Sequence, residues 1–237
     1  MMRLDKFLAD SGVGSRAEVK KQIRWGKVVV DGKTIRMPEF KLDETNAQVF
    51  YKGEPVTYQK FKYIMLHKPA GVVSATTDKT EKTVLDFLDA KMRKDLFPVG
   101  RLDKDTEGLL LLTNDGDLAH QLLSPKKHVD KVYYAKIDGF VEVDDVIRFA
   151  EGMAIGNDEV AKPSKLEIIK TDEISEILLT IQEGKFHQVK RMFHAVGKEV
   201  IYLKRISMGT LTLDTSLRPG EFRTLTDEEI NKLCSKE

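Results

Sequence analysis

The chain has 237 residues, of which 41% are hydrophobic and 32% are charged, a composition typical of a folded, water-soluble protein. This length is sufficient for one large domain or for a small domain followed by a medium one, and it excludes a disulfide-stapled miniprotein. The sequence has no run of eighteen uncharged apolar residues, so it predicts no membrane-spanning helix and no membrane partner.

The cysteine and histidine content narrows the class of protein further. Cys234 is the single cysteine and cannot form a disulfide within the chain. The first residues lack the charged and then apolar pattern of a secretion leader, so we expect the protein to be cytoplasmic. The five histidines show no HExxH or paired Cys/His spacing, which predicts chemistry without a metal.

Lysine and arginine are concentrated in two segments, although the net charge of the chain is only +1. Residues 1–41 contain ten Lys or Arg against five Asp or Glu, and residues 184–205 contain six against Glu199 alone. Local positive charge on a nearly neutral protein indicates that the protein binds a polyanion at particular sites on its surface. Two solvated helix faces would give the same pattern, and charge alone does not separate these alternatives.

A helix with well-marked ends carries most of the first basic segment. Ser15 and Glu18 have the spacing of a capping box, which satisfies the free N–H groups where a helix starts, and Gly26 is a typical helix end. Basic residues along this helix follow steps of four or three and therefore form one stripe on its surface. The members of this basic stripe are Arg16, Lys20, Arg24 and Lys27.

A small hairpin follows the basic stripe, because valines 28–30 lead into Asp31-Gly32, a type I′ turn signal. Segments 3–8, 14–16 and 23–32 of this sequence resemble the S4 RNA-binding domain. The resemblance implies a domain over residues 1–58 that presents basic residues to structured RNA. Those residues would be Arg3 and the four members of the basic stripe.

The remainder of the chain, 59–237, alternates strand-like and helical segments in a mixed order. This order predicts an α+β domain built on a mixed, largely antiparallel sheet. Strand-like segments lie at 96–101, 108–113, 131–138, 175–182 and 199–213. Helical segments lie near 83–90, 117–123, 143–151 and 187–196. A capping box at Thr226 and Glu229 predicts a last helix.

An acid-rich loop comes directly before a continuous apolar strand within residues 98–116. A loop held by a buried strand is rigid, so it can aim Asp103 into a cleft, with Arg101 available to anchor the loop or a phosphate. Taken as isolated residues, Asp103, Asp105 and Thr106 are more typical of a turn whose backbone they cap.

The same loop resembles the signature of the pseudouridine synthases, because residues 100–110 read G-R-L-D-x-x-T-x-G-L-L. Three further segments agree with that family: 68–71 (K-P-x-G), 131–133 (K-x-Y) and 184–193 (G-K-F-H-Q-V-K-R-M-F). With the S4-like segment they resemble the RsuA/RluB/RluE/RluF branch over almost the entire chain. The spelling of residues 187–193 is closer to the small-subunit members of that branch than to the large-subunit members.

This resemblance implies an enzyme that isomerises a specific uridine of small-subunit (16S) rRNA to pseudouridine without a cofactor. It implies that Asp103 is ionised and acts as nucleophile or base, with Lys190 as the cation beside it. Tyr133 would stack on the displaced uracil or relay a proton. Further residues expected to contact the uracil or RNA phosphates are Leu203, Lys185 and Arg191.

Two alternatives remain open at this point, a large-subunit rRNA synthase and a non-catalytic RNA-binding or ribosome-assembly factor with the same fold. The presence of Asp103, Tyr133 and Lys190 together favours an enzyme. The expected partner is rRNA, in the small subunit or its assembly intermediate, bound by a monomer. Because a target nucleotide must leave its stack, at a cost of a few kcal/mol, we expect an unpaired loop as the substrate.

Overall fold

The computed structural model describes residues 1–90, 92–124 and 127–235. The chain divides into two compact units, the amino-terminal unit Met1–Phe61 and the carboxy-terminal unit Lys62–Glu237. The sequence-based prediction set the division after residue 58. No helix in the described ranges is both long enough and apolar enough to cross a lipid bilayer.

The amino-terminal unit combines two helices with short strands. Its elements are β1 Met2–Arg3, α1 Leu4–Asp10, α2 Arg16–Arg24, β2 Val28–Val30, β3 Lys33–Ile35, β4 Lys41–Leu42, β5 Val49–Tyr51 and β6 Glu54–Val56. β1 pairs with β4, and the other four strands form an antiparallel sheet in the order β3-β2-β5-β6. The turn between β2 and β3 has φ of 48° at Asp31 and 77° at Gly32, as a type I′ turn requires.

Local signals in the sequence account for the two helices of this unit. The side chain of Ser15 accepts a hydrogen bond from the backbone N–H of Glu18, and the Glu18 carboxylate accepts one from the backbone N–H of Ser15, so the predicted capping box is confirmed. The apolar faces of both helices are buried in one core with β2 and β5. Its fully covered members include Leu4, Leu8, Ile23 and Val28.

The carboxy-terminal unit contains most of the chain. Its strands are β7 Tyr63–Lys68, β8 Phe97–Pro98, β9 Glu107–Thr113, β10 Lys131–Asp138, β11 Met153–Ala154, β12 Val160–Ala161, β13 Lys165–Lys170, β14 Ile174–Ile181, β15 Glu199–Met208, β16 Leu211–Thr212 and β17 Phe222–Thr224. Its helices are α3 Gly116–Leu123, α4 Val143–Glu151, α5 Gln188–Ala195 and α6 Asp227–Cys234, with a 3-10 turn at Val84–Phe87.

One large sheet organises this unit, in the strand order β13-β14-β10-β15-β9-β7-β17. In the described part of the chain its neighbouring strands run antiparallel, except that β15 lies parallel to β9. The predicted mixed, largely antiparallel sheet is therefore confirmed. Helix α4 packs against β13 and α5 against β15, and the rings of Phe149 and Phe193 meet between them at 4.9 Å.

Two local predictions differ from the structure. The helix expected near 83–90 is only the 3-10 turn Val84–Phe87, because Leu88 returns to an extended conformation with ψ of 147°. The strand β13 was not predicted, since Lys165–Lys170 reads K-L-E-I-I-K and alternates weakly. It is an edge strand with one partner, β14, so most of its side chains remain in water and hydrophobicity gives little signal.

Candidate active site

A buried lysine holds the acid-rich loop in place. Lys68, at the end of β7, is fully buried, and its Nζ donates hydrogen bonds to the carbonyls of Pro69 at 3.0 Å, Lys104 at 3.2 Å and Thr106 at 2.8 Å. Burial lowers the pKa of Lys68 to about 8, against the opposing effect of nearby carboxylates. One side chain thus fixes both sides of the turn that carries Asp103 and Asp105.

A serine provides a second attachment for the same loop. The Ser74 hydroxyl donates to the carbonyl of Leu102 at 2.9 Å and accepts from its N–H at 3.0 Å, while the N–H of Gly71 donates to the carbonyl of Lys104 at 2.7 Å. The backbone on either side of Asp103 is therefore bound to residues 68–74. Such attachments hold a functional side chain in position more firmly than a solvated loop would.

Gly108 allows the close approach of the paired strands β9 and β15 beside this loop. It has φ of +105°, and a Cβ added there would lie 2.2 Å from the carbonyl oxygen of Arg205. No other residue type fits such a contact. After Gly108 the strand continues through four fully buried leucines, Leu109–Leu112, so the loop is attached to the core of the unit.

Asp103 lines a small pocket with a cavity volume of about 60 Å³. Tyr133 and Leu203, which are only 7% and 6% exposed, contribute from the adjacent strands β10 and β15. Other lining residues come from the acid-rich loop and from the segment before α5, and they include Arg101, Thr106, Gly184, Lys185, His187 and Gln188. The pocket therefore brings together a carboxylate, a buried aromatic ring and an aliphatic side chain.

Two basic side chains from the α5 region approach this carboxylate. Lys190 Nζ lies 3.9 Å from Asp103 Oδ2, and His187 Nε2 lies 3.7 Å from Asp103 Oδ1. Lys190 makes its direct hydrogen bonds to Asp105, at 2.6 Å to each carboxylate oxygen. Burial raises the pKa of Asp105, but the hydrogen bond and charge of Lys190 outweigh this effect and the net shift is downward. Lys190 is thus a cation shared between two carboxylates, nearer to Asp105 than to Asp103.

The remaining predicted contacts of the pocket differ in how freely they can reach RNA. Arg101 is exposed and lines the pocket. Lys185 also lines the pocket, but its Nζ donates to Glu183 at 2.6 Å and to the carbonyl of Val160 at 3.0 Å. A phosphate contact by Lys185 would have to compete with these bonds, whereas Arg101 has no ion pair within the described residues.

The Arg191 side chain is bonded to other residues of its own unit. Its guanidinium forms an ion pair with Glu159 and donates to the carbonyls of Ile155 at 2.9 Å, Gly156 at 2.7 Å and Phe186 at 3.2 Å. These bonds use the donors that a phosphate would need. These contacts attach the start of α5 to the segment 155–159, and a phosphate contact by Arg191 would have to compete with them.

The basic residues of the amino-terminal unit are arranged around a buried carboxylate. Asp5 has no exposed side-chain surface; Arg3 binds it at 2.9 Å, Arg16 at 3.5 Å and Lys20 at 3.8 Å. Burial raises the pKa of Asp5, but the hydrogen bonds and charges of Arg3 and Arg16 outweigh it and the net shift is downward. One negative charge thus orients three cations. The other members of the basic stripe, Arg24 and Lys27, are exposed.

Sequence reasoning did not identify several residues that build the site. Lys68 was noted only within the K-P-x-G segment, Ser74 was not considered, and His187 was read as part of a motif without a contact of its own. A lysine at the end of a mostly apolar strand was the available signal for Lys68, because a charge there must be paired when the strand is buried. Nothing in the sequence pointed to Ser74.

Comparisons with known proteins establish the family of the chain. The family model described as RNA pseudouridylate synthase matches residues 62–195, and the S4 domain model matches residues 2–49. The chain is therefore a member of the RNA pseudouridylate synthase family with an amino-terminal S4 domain, and it is an enzyme of that class. The resemblance inferred from the motifs is confirmed.

Several relatives match over nearly their whole length. An RNA pseudouridine synthase of Bacillus subtilis, named YtzG and described as uncharacterized, is 51% identical and covers 98% of both chains. The ribosomal small subunit pseudouridine synthase A of Salmonella typhimurium is 45% identical and that of Escherichia coli K12 is 44% identical, each over 97% of this chain and 98% of the relative. A crystal structure of a pseudouridylate synthase superposes with a TM-score of 0.69 at 38% identity, covering 98% of this chain and all of the other.

Proposed function

We propose that this enzyme converts a specific uridine of small-subunit (16S) rRNA, of the uridine-516 type, to pseudouridine, and that Asp103 carries the reaction. The supporting observation is that Asp103 lines a pocket walled by Tyr133 and Leu203, with Lys190 Nζ at 3.9 Å from its carboxylate. The substrate assignment is supported by the Salmonella and Escherichia coli relatives, which are named for the small ribosomal subunit.

The reaction is an isomerisation whose atoms balance within the nucleotide. The C1′–N1 bond breaks, a C1′–C5 bond forms, and the hydrogen that leaves C5 is replaced by one gained at N1. Asp103 acts at the sugar, as nucleophile at C1′ or as base toward C2′, and both roles need the ionised carboxylate. The ammonium of Lys190, 3.9 Å from the Asp103 carboxylate, places a positive charge beside the reacting group.

Tyr133 and Leu203 position the base in this scheme. Both side chains are almost fully buried and lie on neighbouring strands of the large sheet, so their surfaces facing the pocket are fixed. Stacking of a base on an aromatic side chain contributes about 1–3 kcal/mol. That contribution holds the detached uracil while it turns to present C5 to C1′, and the Tyr133 hydroxyl serves as a proton relay.

RNA binding draws on positive charge in both units. The basic stripe and Arg3 supply cations in the amino-terminal unit, and Arg101 supplies one beside the pocket. Phosphate contacts of this kind offset the few kcal/mol needed to extrude a nucleotide. In this scheme the enzyme acts as a monomer, and the rRNA substrate supports a cytoplasmic location.

The proposed role of Asp103 is tested with Asp103→Asn and Asp103→Ala in an assay of tritium release from small-subunit rRNA labelled at uridine C5. We expect both variants to lose turnover while their affinity for the RNA stays within a few-fold of the original. Asp117→Asn, a change of an exposed carboxylate on α3, is the matched control and should keep full activity. Normal turnover by Asp103→Asn would refute the assignment.

The substrate is tested by mapping pseudouridines in both rRNAs of a strain that lacks this gene, using carbodiimide modification and primer extension. We expect one pseudouridine to disappear from small-subunit rRNA and to return with the intact gene but not with Asp103→Asn. Loss from large-subunit rRNA would replace the proposed substrate. An unchanged pattern in both rRNAs would favour the non-catalytic factor.

A further inference from the structure

An exposed phenylalanine stands next to the pocket. Phe186 is 71% exposed, and its ring stacks on the ring of His187 with centroids 3.9 Å apart and planes within 16° of parallel. A single exposed apolar residue is ordinary on a protein surface. Phe186 differs from such a residue because one face of its ring stacks on His187. The proposed reaction uses neither the Phe186 ring nor the His187 ring.

The backbone on both sides of Phe186 is held firmly. The Lys185 N–H donates to Gln188 Oε1 at 2.9 Å, and Gln188 Nε2 donates to Glu183 at 2.7 Å. Arg191 donates to the carbonyl of Phe186 itself at 3.2 Å. The ring is therefore presented on a fixed loop, and little conformational entropy is lost when a ligand binds against it.

His187 connects this stack to the reacting carboxylate. It has φ of 48° and ψ of 33°, a left-handed conformation that few residues other than glycine adopt. This conformation places its ring at the edge of the pocket, with Nε2 at 3.7 Å from Asp103 Oδ1. Asp103, His187 and Phe186 thus follow one another from the pocket to the surface.

A groove lined by basic side chains begins at the same histidine. It has a volume of about 400 Å³ and is lined by side chains of α5 and of the start of β15. Its basic side chains are those of His187, Lys190, Arg191, His194 and Lys198, of which Lys190, Arg191 and Lys198 form ion pairs with Asp105, Glu159 and Asp145 respectively. Basic side chains beside an exposed aromatic ring combine the two features that bind single-stranded nucleic acid, contacts for phosphates and a surface for base stacking.

We propose that Phe186, supported by His187, is the platform on which a base immediately next to the target uridine stacks. This inference rests on the proposed function and identifies how the same site receives its RNA. When the uridine leaves its stack, the neighbouring base loses a stacking partner. The Phe186 ring replaces that partner, which lowers the free energy of extrusion, while the groove takes the adjoining phosphates.

The test is a double-mutant cycle between the ring and the base. The probe is a single-stranded RNA of about nine nucleotides, with one central uridine among cytidines, in which each neighbour of the uridine is replaced in turn by an abasic residue. Phe186→Ala should weaken binding of the intact probe by about tenfold. Phe186→Trp should preserve binding, and Phe186→Leu, which keeps apolar bulk without a ring, should resemble Phe186→Ala.

The abasic probes separate stacking from a general loss of binding. At one neighbouring position we expect the abasic change and Phe186→Ala to be non-additive, so that the variant binds the abasic probe about as well as the original protein does. Phe140→Ala is the matched control, because Phe140 is also exposed, at 54%. It comes just after Asp138, the last residue of β10, whereas Lys131 is the first. Phe140→Ala should bind every probe like the original protein.

Two results would overturn the inference. Phe186→Ala could bind the intact probe as tightly as Phe140→Ala does, or the effects of the variant and of the abasic residue could add fully at both neighbouring positions. Neither result concerns turnover by Asp103→Asn, so failure of this inference is distinguishable from failure of the proposed function. Thermal unfolding of Phe186→Ala should match that of the original protein, because the ring is mostly in water.

Discussion

Lys190 Nζ lies 2.6 Å from both carboxylate oxygens of Asp105 and 3.9 Å from the nearer oxygen of Asp103. The Asp105 side chain is 70% exposed, whereas the Asp103 side chain is 27% exposed and faces the pocket. Attraction between charges is stronger where water is excluded. Compared with its attraction to Asp105, the attraction of Lys190 to Asp103 is therefore stronger than the two distances alone would give.

These distances and exposures predict that two substitutions lower kcat to very different extents. Lys190→Met removes the cation from Asp103 and should lower kcat by at least about a hundredfold, the usual effect of losing one electrostatic contact in a site. Asp105→Asn removes only the exposed partner and should change kcat by no more than a few-fold. Single-turnover kinetics on the same rRNA fragment measures both. A loss in Asp105→Asn as large as that in Lys190→Met would show that Lys190 acts through Asp105.

The buried lysine predicts a pH dependence of stability. The pKa of Lys68 is about 8 in the folded chain and about 10.4 in an unfolded one, so the unfolded state binds more protons between these values. Through this group, stability rises as pH increases from about 8 to about 10.4, by up to roughly 3 kcal/mol. Chemical denaturation of the original protein and of Lys68→Met across this range measures the difference. A difference in unfolding free energy that is constant with pH would contradict the assignment.

The close approach of β15 to Gly108 predicts that a single added methyl group strongly lowers the stability of the protein. A Cβ at this position would lie 2.2 Å from the Arg205 carbonyl oxygen, and φ is +105°, so Gly108→Ala should destabilise the protein by more than about 2 kcal/mol. Gly116→Ala is the control, because Gly116 lies in the first turn of α3 and a Cβ added there would meet no other atom within 4 Å. It should change stability by less than about 1 kcal/mol. Equal melting temperatures for the two variants would contradict the predicted clash.

The basic stripe predicts a change in salt dependence. Arg24 and Lys27 are exposed, and each phosphate contact on single-stranded RNA contributes about 0.7 to the slope of log affinity against log salt. Arg24→Ala and Lys27→Ala should each lower the slope by about that amount. Lys165→Ala, which removes an exposed lysine of β13 paired with Glu167, should leave the slope unchanged. An unaltered slope in Arg24→Ala/Lys27→Ala would show that this part of the stripe does not contact RNA.

Local elements were predictable because their signals lie within a few positions of one another. Ser15 and Glu18 form the expected capping box, and Asp31-Gly32 forms the expected turn, since both depend on backbone geometry over four residues. The apolar run Leu109–Leu112 is the buried strand that its composition indicated. The density of matching motif positions was likewise readable without coordinates, and it was sufficient to identify the family.

Only the tertiary structure decided which charged groups meet. Asp105 and Lys190 are separated by 85 positions, and their contact depends on the placement of α5 over β15, beside β9. Arg191, the next residue, instead donates hydrogen bonds to the carbonyls of residues 155 and 156. Sequence specifies the charge of each side chain, but the partner of that charge is set by the packing of many strands and helices at once, which no local spacing records.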